Sequence, residues 1–447
     1  MRIRPARRIV GALSLPGDKA ISHRAAITAS LARGASRIEN FSTGEDCAAT
    51  LACLKGLGVS AEMEAVGVLR IEGVGLEGLR APRQPLDCRN SGSTMRMLAG
   101  VLAGQSFEAS LSGDESLRAR PMKRIIEPLE LMGARVESQG GRAPLLITGR
   151  VPLKAISYEM PVASAQVKSC VLLAGLYAKE RTSVIEARGR TTRDHTERML
   201  RWYGAQVTES VTEADESSKV ISLEPAAFLR ARDFRIPGDI SSAAFFIAAA
   251  CLLPGSNLRI RGAGLNPTRA GFLSTLRSLG ADVRSELSAD SKGRWIELDE
   301  PFGDITVLGG AGLAPSKPDS NLLRGALIPQ LIDELPMLAV LGTQVTGGLE
   351  IRDASELRHK ETDRIAATVE NLRAMGATVE EHEDGLTIPE RIHLRGAKIN
   401  AHDDHRIAMA FSIAALLAEG DSEIDGAECV SISFPEFYEL LDSVTER

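Results

Sequence analysis

Apolar residues at helical spacing, then a glycine, then a short strand-like run carrying valine: this pattern recurs along the chain. It reads LACLKGLGVSAE, IEPLELMGARVES, ERMLRWYGAQVTE, LSTLRSLGADVRSE and VENLRAMGATVEE, with the glycines at Gly58, Gly133, Gly204, Gly280 and Gly376. Each glycine falls where a helix would end, and a residue without a Cβ takes the left-handed conformation there without steric cost. The pattern therefore predicts five helices, each stopped by its glycine and followed by a strand. An interval of roughly 75 residues is too long for a solenoid unit of about 20 to 50 residues and fits a repeated α/β subdomain. The closing segment SFPEFYELLDSVTER supplies a sixth helix and stops before any strand. A sixth subdomain would then take its last strand from elsewhere, with the N-terminal strand as the candidate.

A second echo divides the chain. Leu15 to Lys19 reads LPGDK and Ile236 to Ser241 reads IPGDIS. Two crossings at matching Pro-Gly-Asp turns would join two halves of three subdomains each, one spanning 18–238 and the other composed of 1–17 with 239–447. Such a pair of crossings predicts a double-stranded hinge that absorbs domain closure.

Composition narrows the class. A chain of 447 residues exceeds one ordinary core and predicts two or three domains. Its apolar runs all fall short of the roughly 20 residues that span a bilayer. The opening MRIRPARRIVGALSLPG lacks the apolar stretch and cleavage site of a secretory signal, which predicts a strand and a cytoplasmic protein. Cys47, Cys53, Cys88, Cys170, Cys251 and Cys429 are scattered, with no zinc spacing, so reduced buried thiols are expected. A net charge of −6 argues against nucleic acid as the main partner. It leaves room for small anions where cations gather locally.

Cations do gather at expected helix starts. In LPGDKAISHR, Lys19 follows a Gly-Asp turn and Arg24 lies one turn beyond Ala20. The stretch is not a P-loop, because Asp18 separates Gly17 from Lys19 and Ala20 stands where a metal-holding hydroxyl belongs. An anion-binding turn and a solvated helix start both fit it. NSGSTMR (Asn90 to Arg96) has the composition of an anion-cradling turn, DESLRAR ends on Arg118 and Arg120, and SAQVK (Ser164 to Lys168) heads an apolar helix. Arg193 to His195 precedes the third repeat helix. In the second half, IDELP places Asp333 and Glu334 at a helix start, KETDR (Lys360 to Arg364) mixes both signs, and DDHR (Asp403 to Arg406) opens the apolar helix IAMAFSIAALLA. Caps and salt bridges account for many such stretches singly; their joint occurrence in an acidic chain favours anion binding.

Taken in order, PGDKAISHR, NSGSTMR, RARP, ASAQVKS, TRDHTE, NPTR, IDELP, KETDRI, DDHRIAM and SFPEF make the chain resemble, end to end, the 5-enolpyruvylshikimate-3-phosphate synthase family of enolpyruvyl transferases. The resemblance implies an α/β fold of two inside-out, barrel-like domains, each of three repeated subdomains, joined by a double crossing. It implies transfer of the enolpyruvyl group of phosphoenolpyruvate to the 5-hydroxyl of shikimate 3-phosphate, with phosphate released by addition and elimination through a tetrahedral ketal. By resemblance, Lys19, Gly92, Arg120, Gln166, Arg364 and Arg406 contact phosphoenolpyruvate. Lys19, Ala20, Arg24, Ser164, Ala165, Gln166, Arg193, Asp333 and Lys360 form the shikimate 3-phosphate site. Asp333 serves the hydroxyl proton, and Glu361, with Lys19, serves the methylene carbon. The resemblance further implies no cofactor, no membrane or nucleic acid partner, a monomer, and competitive inhibition by glyphosate, for which Gly92 leaves room.

Two positions depart from the family pattern. Ala20 stands where the family usually has a serine whose hydroxyl bonds shikimate 3-phosphate, which predicts weakened substrate binding and admits an inactive or repurposed homologue. Ile432 stands near SFPEF where some members carry a lysine that reaches phosphoenolpyruvate. The sister transferase acting on UDP-N-acetylglucosamine normally carries a cysteine near DESLRARP, and none is present here. A non-catalytic anion-binding protein would need the cations but neither Asp333 nor Glu361.

Overall fold

The computed structural model describes residues 1–186, 191–211, 218–288, 300–310 and 312–447. These fall into two compact units. The first holds the described residues of Met1–Pro16, Pro237–Ala289 and Pro301–Arg447; the second holds those of Gly17–Ile236 together with Glu300. The chain passes between the units at the two Pro-Gly-Asp turns. Glu300 belongs to a second visit of the chain to the second unit, which two crossings alone do not provide; its Oε1 lies 2.7 Å from Nδ1 of buried His195.

Each unit carries three sheets. Five of the six share one topology, in which a strand runs parallel to a central strand whose other edge begins an antiparallel hairpin. In the second unit the central strands are Ala32–Glu39, Glu108–Ser112 and Thr182–Glu186; in the first they are Asn257–Gly264 and Leu349–Ile351. In the sixth sheet Lys398–Asn400 runs parallel to Ser422–Asp425, and the antiparallel partner is Arg2–Ile3, with Arg2 opposite Glu423 and Ile3 opposite Ser422. The N-terminal strand thus completes the last subdomain, as the repeat requires. One expectation is corrected: the closing helix Phe437–Val444 does not end the structure, because Thr445–Glu446 pairs with Arg8–Ile9. Two residues are too few to carry a periodic signal.

The five repeat glycines all have positive φ, between 82° at Gly280 and 97° at Gly133. At each, the glycine N–H and the next residue's N–H both return to carbonyls of the last helical turn; Gly133 bonds Glu130 at 2.9 Å and Ala134 bonds Leu129 at 3.1 Å. This doubly bonded ending satisfies carbonyls that the helix itself leaves open.

The centre of each unit is helical, and no sheet closes into a barrel among the described residues. In the second unit the central helices are Lys19–Leu31, Gly92–Ala103 and Ala165–Gly175; in the first they are Ile240–Leu252, Leu335–Gly342 and His405–Leu417. They are buried on nearly every side, whereas strands such as Asn257–Gly264 alternate between core and solvent. A helix wrapped by its own domain has no polar face to spare, which is why polar residues concentrate at its ends. Phe434 and Phe437 of SFPEF pack edge-on against Phe246 of Ile240–Leu252, with centroids 6.0 and 5.7 Å apart. Among the described residues no single helix is long and apolar enough to cross a membrane.

Candidate active site

Five of the six central helices begin on a residue whose side chain accepts a backbone N–H of the first turn: Asp18, Ser91, Ser164, Asp239 and Asp404. The caps explain the Pro-Gly-Asp echo locally, since each Asp ends a turn and starts a helix. Gly17 is required by space, for a Cβ there would lie 1.7 Å from the Asn40 carbonyl oxygen.

Within the second unit, the starts of the central helices are tied to one another. Lys19 Nζ pairs with Asp46 Oδ2 at 2.9 Å, and the Asp46 carbonyl accepts from Thr94 at 3.4 Å. Arg96 Nη1 donates to Gln166 Oε1 at 2.5 Å, and Gln166 Nε2 donates to Ser93 at 2.9 Å, so both ends of the Gln166 amide are held. A Cβ on Gly92 would meet Arg96 Nη1 at 2.8 Å and Arg120 Nη1 at 3.4 Å. Arg120 Nη2 itself donates to Asn90 Oδ1 at 2.6 Å. Lys19, Gly92, Arg120 and Gln166 therefore share the end of the unit where these helices start.

Arg24 lies deeper. It donates to Thr196 at 2.7 Å, Ser169 at 2.8 Å and the Ala20 carbonyl at 2.7 Å, all neutral acceptors. Burial and the like charge of Arg193 pull its pKa down to about 10. A buried guanidinium facing another cation is a costly arrangement that an incoming dianion would relieve. Ser164 caps the helix that Ala165 and Gln166 open. His23, one residue before Arg24, is kept neutral by burial and by Lys19 and Arg24, which lower its pKa to about 3.

In the first unit the starts of Ile240–Leu252, Leu335–Gly342 and His405–Leu417 meet around Asp333. Its carboxylate has Arg364 Nη1 at 3.5 Å, Lys360 Nζ at 3.7 Å, Arg406 Nη2 at 3.8 Å and Arg269 Nη1 at 4.0 Å. Glu361 is held by Arg364 at 2.7 Å, and Arg364 Nε also pairs with Asp404 at 2.7 Å. Burial opposes the Arg364 charge, but the carboxylates of Asp404 and Glu361 outweigh it and raise its pKa. Glu361 is less buried than Asp404, with 16 % of its side chain exposed against none, so it is the carboxylate that a ligand can reach. The structure thus brings Asp333, Lys360, Glu361, Arg364 and Arg406 together. Ile432 packs against the hydrophobic core, and the arginines of this group are Arg269, Arg364 and Arg406.

Several participants were not singled out from the sequence. Asp46 and Arg269 lie outside or at the edge of the motifs, and nothing local marks Thr196 or Ser169 as partners of Arg24. Lys168 stands inside SAQVKS yet is wholly buried, paired with Glu186 at 2.9 Å and Glu197 at 2.6 Å. All six cysteines are buried and unbridged. Among the described residues no group of His, Cys, Asp and Glu is arranged to hold a metal ion.

Comparison with known proteins shows the family. Residues 3–441 match the family model described as EPSP synthase (3-phosphoshikimate 1-carboxyvinyltransferase). The chain is 49% identical over 447 residues to the 3-phosphoshikimate 1-carboxyvinyltransferase of Koribacter versatilis (strain Ellin345), covering 100% of this chain and 99% of the relative. It is 48% identical to that of Salinibacter ruber (strain DSM 13855 / M31), covering 97% of both chains. Among solved structures, EPSP synthase from Acinetobacter baumannii superposes with a TM-score of 0.83 at 39% identity, over 99% of this chain and 98% of that one. The enolpyruvyl transferase NikO from Streptomyces tendae, at 18% identity and a TM-score of 0.75 over 100% and 97%, shares the fold. The capped helix starts, the two gathered sets of charges and the end-to-end match place the chain in the EPSP synthase (3-phosphoshikimate 1-carboxyvinyltransferase) family.

Proposed function

We propose that the chain transfers the enolpyruvyl group of phosphoenolpyruvate to the 5-hydroxyl of shikimate 3-phosphate. The observation that carries the reading is Asp333, a carboxylate ringed by Lys360, Arg364, Arg406 and Arg269 within 4.0 Å. A carboxylate amid so many cations suits a reaction whose substrates are phosphorylated carboxylates, because the same cations can receive their charged groups.

The roles follow the chemistry. Asp333 takes the proton of the 5-hydroxyl as its oxygen attacks C2 of phosphoenolpyruvate, and Glu361, with Lys19, protonates C3. The resulting tetrahedral ketal expels phosphate and C3 gives up a proton, restoring the double bond. Lys19, Gly92, Arg120, Gln166, Arg364 and Arg406 receive phosphoenolpyruvate, where guanidinium groups suit bidentate capture of phosphate and carboxylate. Lys19, Ala20, Arg24, Ser164, Ala165, Gln166, Arg193, Asp333 and Lys360 receive shikimate 3-phosphate. We read the protein as a cytoplasmic monomer with two domains, 18–238 and 1–17 with 239–447, that needs no cofactor.

The deciding experiment measures phosphate release from the purified protein given both substrates, beside an Ala20→Ser variant. Release that requires both substrates supports the assignment. A hydrogen bond to a charged group is worth about 1.5–3 kcal/mol, so the added hydroxyl should lower KM for shikimate 3-phosphate about tenfold or more. No release from either protein would leave an anion-binding homologue.

Glyphosate should compete with phosphoenolpyruvate in the same assay. Overpacking costs about 1–3 kcal/mol, so Gly92→Ala, whose Cβ would press on Arg96, should raise the inhibition constant about 5- to 150-fold. Inhibition that rising phosphoenolpyruvate leaves unchanged would refute a shared position.

A further inference from the structure

Ser241 and Glu334 belong to no substrate set above, yet they form a buried pair beside Arg406. Each has 3% of its surface exposed. The Ser241 hydroxyl donates to Glu334 Oε1 and accepts from Arg406 Nη1, the second bond measuring 2.7 Å. Arg406 Nη1 also donates to the Asp333 carbonyl at 2.9 Å. The Glu334 carboxylate stays 3.7 Å from Arg406 and 3.8 Å from Arg269.

We infer that Ser241 and Glu334 are positioning residues for Arg406, setting its guanidinium for an incoming phosphate or carboxylate with no carboxylate in direct hydrogen bond to it. The inference rests on the reading of Arg406 as a ligand of phosphoenolpyruvate. An arginine in the first turn of a helix is repelled by the helix dipole and has a flexible side chain, so something must hold it. A direct carboxylate pair would hold it and also cancel its charge, as Asp404 and Glu361 partly do for Arg364. A hydroxyl that gives its proton to Glu334 turns its lone pairs toward Arg406 and orients the guanidinium through a neutral bond. The three residues come from the starts of three central helices, so the bond also fixes where those helix ends stand. Ser241 is suited to a test because its backbone N–H is bonded to Asp239 at 2.7 Å. Removing its hydroxyl therefore leaves the cap intact.

The test uses the full chain with Ser241→Ala, Ser241→Thr and Glu334→Gln, each alone and with Arg406→Lys. Ser241→Ala should raise KM for phosphoenolpyruvate about tenfold, a usual effect of one lost hydrogen bond to a charged group, and leave KM for shikimate 3-phosphate within about twofold. Ser241→Thr should restore the wild-type value, and Glu334→Gln, which keeps an acceptor, should fall between. In the Arg406→Lys background, Ser241→Ala should add little. Equal change in both KM values, or additive effects, would overturn the inference. Phenylglyoxal labelling of Arg406, followed by mass spectrometry, is an independent readout. A labelling rate several-fold higher in Ser241→Ala supports positioning, and an unchanged rate refutes it. If the wild type releases no phosphate, the functional reading fails and the labelling still decides whether Ser241 holds Arg406.

Discussion

Asp333→Asn and Glu361→Gln should each cut kcat by about 10²- to 10⁴-fold while leaving the binding of shikimate 3-phosphate largely intact, because a positioned acid or base contributes on that scale and an amide keeps the shape without the proton. The two variants should not fail alike. Asn at 333 removes the negative charge that Arg269, Lys360, Arg364 and Arg406 surround, so the anionic substrates meet less repulsion and their KM values stay level or fall. Gln at 361 removes one of two carboxylates on Arg364, and Asp404 continues to hold that arginine. Calorimetry with shikimate 3-phosphate separates binding from turnover. A protein that binds without catalysing would show no release to lose, and a variant that keeps near-normal kcat would remove its residue from the proton transfers.

Lys168→Met should destabilise the protein by about 3–5 kcal/mol, the usual consequence of leaving buried charge without its partner. Lys168 is wholly buried between Glu186 and Glu197, whose side chains are equally buried. In the wild type, burial works against the ammonium, but the two glutamates prevail and raise its pKa. Burial already holds the Glu197 pKa above its free value against the pull of Lys168, and removing the lysine raises it further. A group raised in this way costs stability as pH climbs past the unfolded carboxylate value of about 4.3, so the deficit should be smaller near pH 5 than near pH 8. Thermal unfolding across that range checks both size and slope. A loss under about 1 kcal/mol, or one indifferent to pH, would mean that the cluster is not held by charge. The substitution should also weaken shikimate 3-phosphate binding, since Glu186 accepts from the Thr192 N–H at 3.0 Å and Thr192 precedes Arg193.

What was legible in the sequence was mostly local. Five glycines after five apolar patterns mark five helix ends, because the left-handed turn and its bonds lie within a few residues. The helix starts at Asp18, Ser91, Ser164 and Asp404 are readable for the same reason. The candidate residues were reached through resemblance, since spacing alone does not say that Asp333 and Arg406 meet. Partnership at long range left no local trace: Asp46 answers Lys19 from another helix, and Ser241, read as part of a hinge turn, bonds an arginine 165 residues away. Lys168 looked like an ordinary polar residue of a helix start. Only the packing of Glu186 and Glu197 around it shows that its charge is enclosed.

The sheet that joins Arg2–Ile3 to Ser422–Asp425 bears on the order of events during synthesis. Arg2 and its partner Asp421 are 419 residues apart, so Arg2–Ile3 is synthesised long before its partner strand and waits while the chain between them is made. At about 5–20 residues per second the wait is roughly 20 to 80 s. The second unit, nearly continuous in sequence, can assemble in that interval, and Arg8–Ser14 can pair with Asn257–Gly264, while Arg2–Ile3 stays unpaired until Ser422–Asp425 is made. Closing so long a loop also slows the final step, because its entropy is paid before its contacts form. A circular permutant that places residues 1–5 after Arg447 would remove the wait of Arg2–Ile3 and keep Arg8–Ser14 ahead of Asn257–Gly264, and its newly made chains should reach protease resistance sooner than those of the natural order.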